Sequence, residues 1–379
     1  MSRSVSVTRW WLALTLPGLG WAGPYEFPPV MLEPSPIQLW DTTLTLRSGG
    51  GHNSNPSLAN LPSARQPSAF LEYGGELMFF RLPTGGDNAF IFLSGDDRRY
   101  LSAENVPGEQ NFVALASYTH DSPSWWKAGA VVSYVYLNQV IDLSEIDSGI
   151  GTAQVKGNTI NFRPMWGGTW DTNWLAQLEL PLNRQMFTTE ATGDFLELGP
   201  QVTLTRNLAR SSQVSLSYAW LRRAFDNVPL REINGTPLPG TLEVLNYNHL
   251  NLRWRQNWDA DKHWSSTARL GFTTARDNGP GYYDFNRYRA SGVVRYERNR
   301  WALEFEGGAL WSDYLLQSVS STNLEPRSQR NVFAVVEFEY LVWRTLKWNA
   351  SFAYDQSVGN VALDTYLSRT VTTGLEWEF

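Results

Sequence analysis

The chain contains no cysteine. That single absence removes disulfides, thiolate metal sites and cysteine nucleophiles together, and leaves the redox compartment open. Histidine is nearly as scarce, with four in 379 residues. His52, His120, His249 and His263 are too scattered to suggest a metal centre. Long apolar runs are missing too: beyond the N-terminus nothing approaches the roughly 20 apolar residues that a membrane-crossing helix needs. Nor do apolar residues recur at helical spacing over any useful length. With 31 Lys plus Arg against 37 Asp plus Glu, the formal charge is -6 and leaves no electrostatic footprint for nucleic acid. What the chain has in bulk is aromatic side chains, including 18 Trp and 16 Tyr. Amphipathic rings in such number call for a setting that is apolar at one end and wet at the other.

The N-terminus has the layout of an export signal. Arg3 and Arg9 form a basic region, Trp10 to Leu19 a short apolar one, and Gly20 and Ala22 are the small residues before a cut. Residues 1–22 are therefore predicted to be a signal peptide. Residues 23–37 hold five prolines, Pro24, Pro28, Pro29, Pro34 and Pro36, and read as an extended periplasmic lead-in that cannot join a ladder.

From residue 38 to 379 the apolar period is two. Trp40, Thr42, Leu44 and Leu46 alternate with Asp41, Thr43, Thr45 and Arg47, and the same alternation returns in Leu250, Leu252 and Trp254 and in Val332, Ala334, Val336 and Phe338. Punctuation alternates as well. Short polar turns fall near 82–88, 121–124, 171–173, 207–211, 259–262, 298–300 and 344–346. Longer loops rich in Gly, Asn, Pro, Ser and Asp fall near 52–66, 98–108, 141–156, 187–193, 226–242, 276–286, 314–328 and 358–363. Seven turns and eight loops predict about sixteen strands that begin and end on the short-turn side, an all-β, up-and-down antiparallel transmembrane barrel of the outer-membrane kind.

The tryptophans then have a place. Trp125, Trp126, Trp170, Trp174, Trp258, Trp264, Trp301, Trp343 and Trp348 flank the short turns, as a girdle at the headgroup level requires. The final segment, Gly374 to Phe379, alternates Leu375, Trp377 and Phe379 with Glu376 and Glu378. It resembles the C-terminal signature of bacterial outer-membrane proteins. That resemblance implies an outer-membrane location and a terminal aromatic read by the barrel-assembly machinery. The run Gly49, Gly50, Gly51, His52, Asn53, Ser54, Asn55, Pro56 resembles the opening strand and first loop of β-barrel porins associated with exopolysaccharide export, which implies passage of polymers or small solutes.

Among residues able to do chemistry, His249 is the one histidine borne inside a strand at inward parity, beside Asn251. A hydrolase would need a paired nucleophile that the sequence does not offer, so it reads as a solvated lumen residue. Asp142, Glu145 and Asp147 form an acidic loop whose ordinary role is solvation rather than Ca2+ binding. The charged inward positions say more. Arg253, Arg255, Arg269, Arg289 and Arg295 form a basic wall, and Glu304, Glu306, Glu337, Glu339 and Lys347 follow on the next strands. Symmetric hairpins predict Arg253 opposite Arg269, Thr267 opposite Arg295, Arg295 opposite Glu304, Glu304 opposite Glu339, Glu306 opposite Glu337, Glu339 opposite Lys347 and Lys347 opposite Glu376. Facing walls of opposite charge are how pores sort ions. The expectation is a porin-like channel for hydrophilic solutes, with polysaccharide export as the alternative and a hydrolase after it. No cofactor and no enzymatic step are expected. The partners are outer-membrane lipids, the assembly machinery and a hydrophilic solute or polysaccharide.

Cleavage after Ala22 makes Gly23 the mature N-terminus. Intact mass of outer-membrane material checks this; a mass that retains Arg3 and Arg9 removes the signal assignment.

Overall fold

The computed structural model describes residues 40–379 apart from 62–63, 82–85, 143–151, 172, 189–192, 210 and 321. The export signal, the proline-rich lead-in and the Glu145 and Asp147 loop lie outside the described residues. Eighteen strand segments follow in chain order: β1 (Trp40–Asn53), β2 (Ser68–Arg81), β3 (Asp87–Tyr100), β4 (Gly108–Asp121), β5 (Trp126–Asp142), β6 (Thr152–Asp171), β7 (Trp174–Glu179), β8 (Leu182–Phe187), β9 (Phe195–Leu198), β10 (Gln201–Ala209), β11 (Ser212–Phe225), β12 (Val244–Asn257), β13 (Trp264–Asp277), β14 (Phe285–Arg298), β15 (Trp301–Ser318), β16 (Pro326–Leu341), β17 (Leu346–Gly359) and β18 (Tyr366–Glu378). Each pairs antiparallel with its neighbours, and β1 pairs with both β2 and β18, so the sheet closes.

Sixteen staves make this wall, because two of them are broken. Leu180 and Pro181 separate β7 from β8, both of which pair with β6, and Gly199 and Pro200 separate β9 from β10, both of which pair with β11. Proline brings no N–H to a ladder, so the pairing stops there. The gap is bridged from neighbours: the Leu180 amide donates to the Pro164 carbonyl of β6 at 3.1 Å, and the Trp220 amide to the Pro200 carbonyl at 3.0 Å.

The Gly49–Pro56 run has a structural use at the seam. A Cβ on Gly49 would lie 2.6 Å from the Thr373 carbonyl oxygen, and one on Gly51 would collide with the Val371 carbonyl. Only glycine allows β1 that close to β18. Beyond it, Asn53 accepts from the Asn55 amide at 2.8 Å and from the Ser368 hydroxyl at 3.0 Å, while Asn55 donates to the Leu367 carbonyl at 3.1 Å. The run ties the first loop to the last strand.

All seven predicted turns and eight predicted loops separate staves where the punctuation put them. Register agrees in part. Arg253 stands opposite Arg269, Arg295 opposite Glu304 and Lys347 opposite Glu376. Three connections slip by two residues: Thr267 meets Val293, Glu304 meets Glu337 rather than Glu339, and Glu339 meets Asn349 rather than Lys347. A slip of two keeps every side chain on its face and changes only its partner. The cause at 314–328 is visible, since pairing of β15 with β16 breaks between Asp313 and Ser318.

At the outer rim the loops are pinned by a buried ion pair. Arg327 of β16, 2% exposed, donates to Asp364 in the last loop at 2.7 and 2.5 Å and to Gln317 at 2.9 Å, above the ring of Tyr314. Removing one partner of such a pair strands a buried charge. Arg327→Met is expected to destabilise the barrel by about 3–5 kcal/mol. The readout is a lower temperature for loss of the fast-migrating folded form in heat-modifiability gels. Adding Asp364→Leu should restore part of it, because the stranded carboxylate goes.

Candidate pore lining and outer mouth

Period-two alternation puts Leu216, Leu250, Leu252, Leu270, Leu303, Phe305, Val336, Phe352 and Val371 on the exposed outer face of the closed wall. Their neighbours in sequence point inward. Around the short-turn end runs a chain of rings: Trp264 and Tyr296 lie 4.5 Å apart, Tyr296 and Trp301 4.8 Å, Trp301 and Phe338 6.5 Å, and Phe338 and Trp348 5.7 Å. Trp170 stacks on Trp174 at 5.8 Å on the far side. Trp125, Trp258 and Trp343 are exposed at the same end. A closed antiparallel barrel with an apolar outer band, an aromatic girdle and inward charge is a transmembrane β-barrel of the outer-membrane type, since in lipid only closure satisfies every strand edge.

The predicted site residues occupy six consecutive staves at inward parity: Arg253 and Arg255 on β12, Arg269 on β13, Arg289 and Arg295 on β14, Glu304 and Glu306 on β15, Glu337 and Glu339 on β16, and Lys347 on β17. Their electrostatics differ from two opposed walls. Arg295 sits inside the acidic group, 3.1 Å from Glu304 and 3.6 Å from Glu339. Lys347 pairs with Glu376 at 2.9 Å and lies 3.7 Å from Glu378. The like-charged pair directly opposed across strands is Glu304 with Glu337, not Glu306 with Glu337, and Arg295 provides the positive charge that offsets it. Among the described residues Glu306 lies within ion-pair distance of Arg269 alone, at 3.9 Å, with Arg289 acting on it from further away.

Arg253, Arg255 and Arg289 are different. Among the described residues no carboxylate lies within ion-pair distance of any of the three. The directly opposed Arg253 and Arg269 concentrate positive charge further.

Several inward ion pairs escaped the reading of the sequence. Arg47 meets Glu76 at 2.7 Å and Asp96 at 3.1 Å; Arg98 meets Glu72 at 2.6 Å and Glu109 at 3.7 Å; Arg223 meets Glu197 at 2.7 Å. The hairpin rule applied at 82–88 would have found Glu72 opposite Arg98, because that turn is symmetric. His249 shares a hydrogen bond with the Thr273 hydroxyl at 2.9 Å and stacks flat on Tyr247 at 5.5 Å.

Toward the long-loop end the inward face turns apolar. Phe195, Phe225, Leu245, Tyr247, Phe285 and Tyr314 from the strand ends pack with Tyr282 and Tyr283 from the 278–284 loop. Asp277 shapes that loop by accepting from the amides of Gly279 and Gly281, each at 2.9 Å, and of Tyr283 at 3.2 Å. Against this core lies Glu243, 1% exposed, with neither carboxylate oxygen hydrogen-bonded. Burial, with the nearby charges of Asp277 and Asp284, pushes its carboxyl up to about 8.

No family model and no curated protein sequence matches the chain. Among solved structures, OprB of Pseudomonas putida is similar over 90% of this chain and 94% of its own, at 11% identity and a TM-score of 0.49. OccAB1 of Acinetobacter baumannii is similar over 90% and 97%, at 10% identity and 0.47. A bacterial polysaccharide outer membrane secretin is similar over 89% and 97%, at 10% identity and 0.40. Likeness of that degree carries no argument about what this chain passes, which rests on its own residues.

Because the folded-state pKa of Glu243 lies above an ordinary carboxyl value, the fold holds a proton there that the unfolded chain releases. Its contribution is fully present at acid pH and is lost as pH rises toward 8. The outer mouth is therefore expected to become more protease-sensitive between about pH 5 and 9. Glu243→Gln should flatten that dependence. Equal pH dependence in wild type and variant removes Glu243 as the cause.

Proposed function

We propose that the chain is an outer-membrane channel for passive passage of hydrophilic solutes and that its lumen favours anions. The observation that carries this is the imbalance on the inward face. Glu304, Glu339 and Glu376 have cationic partners, whereas among the described residues Arg253 and Arg255 have no carboxylate within ion-pair distance and Arg289 feels Glu306 only from beyond it. Sixteen strands make a barrel wide enough for an aqueous lumen. In such a lumen uncompensated guanidinium groups set a positive field, and rings or walls of arginine select for anions. No step in this function needs a bond to be made or broken.

The same reading takes residues 1–22 as the export signal and the terminal strand as the segment handed to the barrel-assembly machinery. Support comes from the end of the chain: Phe379 stacks on Trp377 at 5.5 Å, and its amide donates to the Leu44 carbonyl at 2.8 Å, next to the closing seam. Export of exopolysaccharide gains nothing from the Gly49–Pro56 run, whose side chains and missing side chains are used in closing the wall.

Single-channel recording tests the proposal. In a salt gradient below 0.1 M, where the Debye length is about 10 Å or more, Arg253→Gln with Arg255→Gln should lower the anion-to-cation permeability ratio about twofold or more. Raising the salt should shrink the difference. Leu252→Ala, on the outer face, is the control. A conducting channel whose reversal potential ignores both arginines overturns the assignment of the basic wall to the lumen.

A further inference from the structure

The outer face of the barrel carries a recess that solute passage does not use. Near the long-loop end of β14, β15 and β16 is a cavity of about 340 Å3 lined by Tyr288, Trp311, Asp313, Ser328, Gln329 and Arg330. That volume lies within the roughly 300–1,000 Å3 of small-molecule sites. Register explains its shape. Tyr288 stands opposite Trp311, and Trp311 opposite Arg330, so two ring faces and a guanidinium stand side by side. One row toward the loops Asp313 stands opposite Ser328, and the ladder then breaks. A bulge at that point opens the wall above the rings.

The polar tips in this recess are unspent. Among the described residues the Tyr288 hydroxyl, the Trp311 indole N–H, the Asp313 carboxylate and the Arg330 guanidinium have no protein partner. Tyr288 is backed by Phe272, with ring centroids 5.1 Å apart, which holds its face toward the recess.

Below the rings the outer surface becomes a trough. Ala290, Ala309 and Val332 form the next row, and Ala268, Gly292, Gly307 and Ala334 stand together in the row after it. A Cβ on Gly292 would find one atom within 4 Å, the Thr267 carbonyl oxygen at 3.7 Å, so the surface there is open. The small residues of these rows leave a shallow channel about 10 Å wide, bordered at Gly307 by the Phe305 ring, 3.4 Å from where a Cβ would lie, and in line with the aromatic recess.

A cationic, aromatic and hydrogen-bonding pocket at the headgroup level, continuous with an apolar trough at hydrocarbon depth, has the order of parts of an amphiphile. We propose that it holds one phosphorylated glycolipid of the outer leaflet. Arg330 takes the phosphate by a charge-assisted pair. Trp311 and Tyr288 bear the apolar face of the sugar, Asp313 and Ser328 take its hydroxyls, and an acyl chain lies over Gly292 and Gly307. The inference rests on the outer-membrane placement and is independent of anion selectivity.

Native mass spectrometry of the full chain in mild detergent, with lipid A as the probe, tests it. Wild type should retain one lipid A molecule that its dephosphorylated form does not replace. Arg330→Gln should weaken retention about tenfold, the loss of one charge-assisted contact. Gly307→Leu, which fills the trough from the lipid side, should weaken it as well while single-channel conductance stays unchanged. Equal retention in wild type and Arg330→Gln, or equal retention of the dephosphorylated lipid, overturns the proposal. So does a wild-type oligomer that Gly307→Leu dissolves, because the trough is then a contact between copies. Binding of soluble glucosamine phosphate as tightly as lipid A would also overturn it, by removing the membrane as the source of the ligand.

Discussion

Hydrogen bonding of the backbone in a medium that offers no water is the constraint from which the rest of the molecule follows. Each amide that the outer band presents to lipid must find a carbonyl on a neighbouring strand, and the sheet meets that demand only by returning to its own first strand. The meeting of β1 with β18 is thus the decisive contact. Its glycines are there for proximity rather than flexibility, since a side chain at Gly49 or Gly51 would hold the two backbones apart. The polar asparagines that follow hold the first loop across the same junction.

Once the wall is closed, the alternation of side chains divides the chemistry. Outward positions are chosen for lipid, with tryptophan and tyrosine at the ends of strands. Inward positions carry charges that a lipid-facing residue could not keep. Most of those charges neutralise one another locally, as Arg47 does with Glu76 and Asp96, and Arg295 with Glu304 and Glu339. Such pairs brace the inner wall and have little field left at a distance. Arg253, Arg255 and Arg289, with no carboxylate within ion-pair distance among the described residues, are the charges on which the proposed anion preference rests.

Architecture was legible in the sequence because it is written locally: a period of two and the spacing of turns need no knowledge of what lies opposite. Partners were less so. Turns at 259–262 and 298–300 are symmetric, and there the inferred pairs match the structure. At 276–286, where Asp277 organises the loop, and at 314–328, where β15 bulges, the loop geometry moves the register by one full repeat. Glu304 then faces Glu337, which no count of residues from a loop centre would reveal. Glu243 was hidden for another reason. Nothing in its neighbours along the chain signals burial, which comes from the folding of two outer loops over the strand ends.

The paired interruptions at Leu180–Pro181 and Gly199–Pro200 belong to one row of the wall. Pro164 lies on the neighbouring β6 at the same level, so ladder donors are missing across three adjacent staves. Along that row the wall is carried by the amides of Leu180, Gly199 and Trp220, which reach the carbonyls of Pro164, Pro181 and Pro200 in turn, so each proline takes part in the ladder as an acceptor alone.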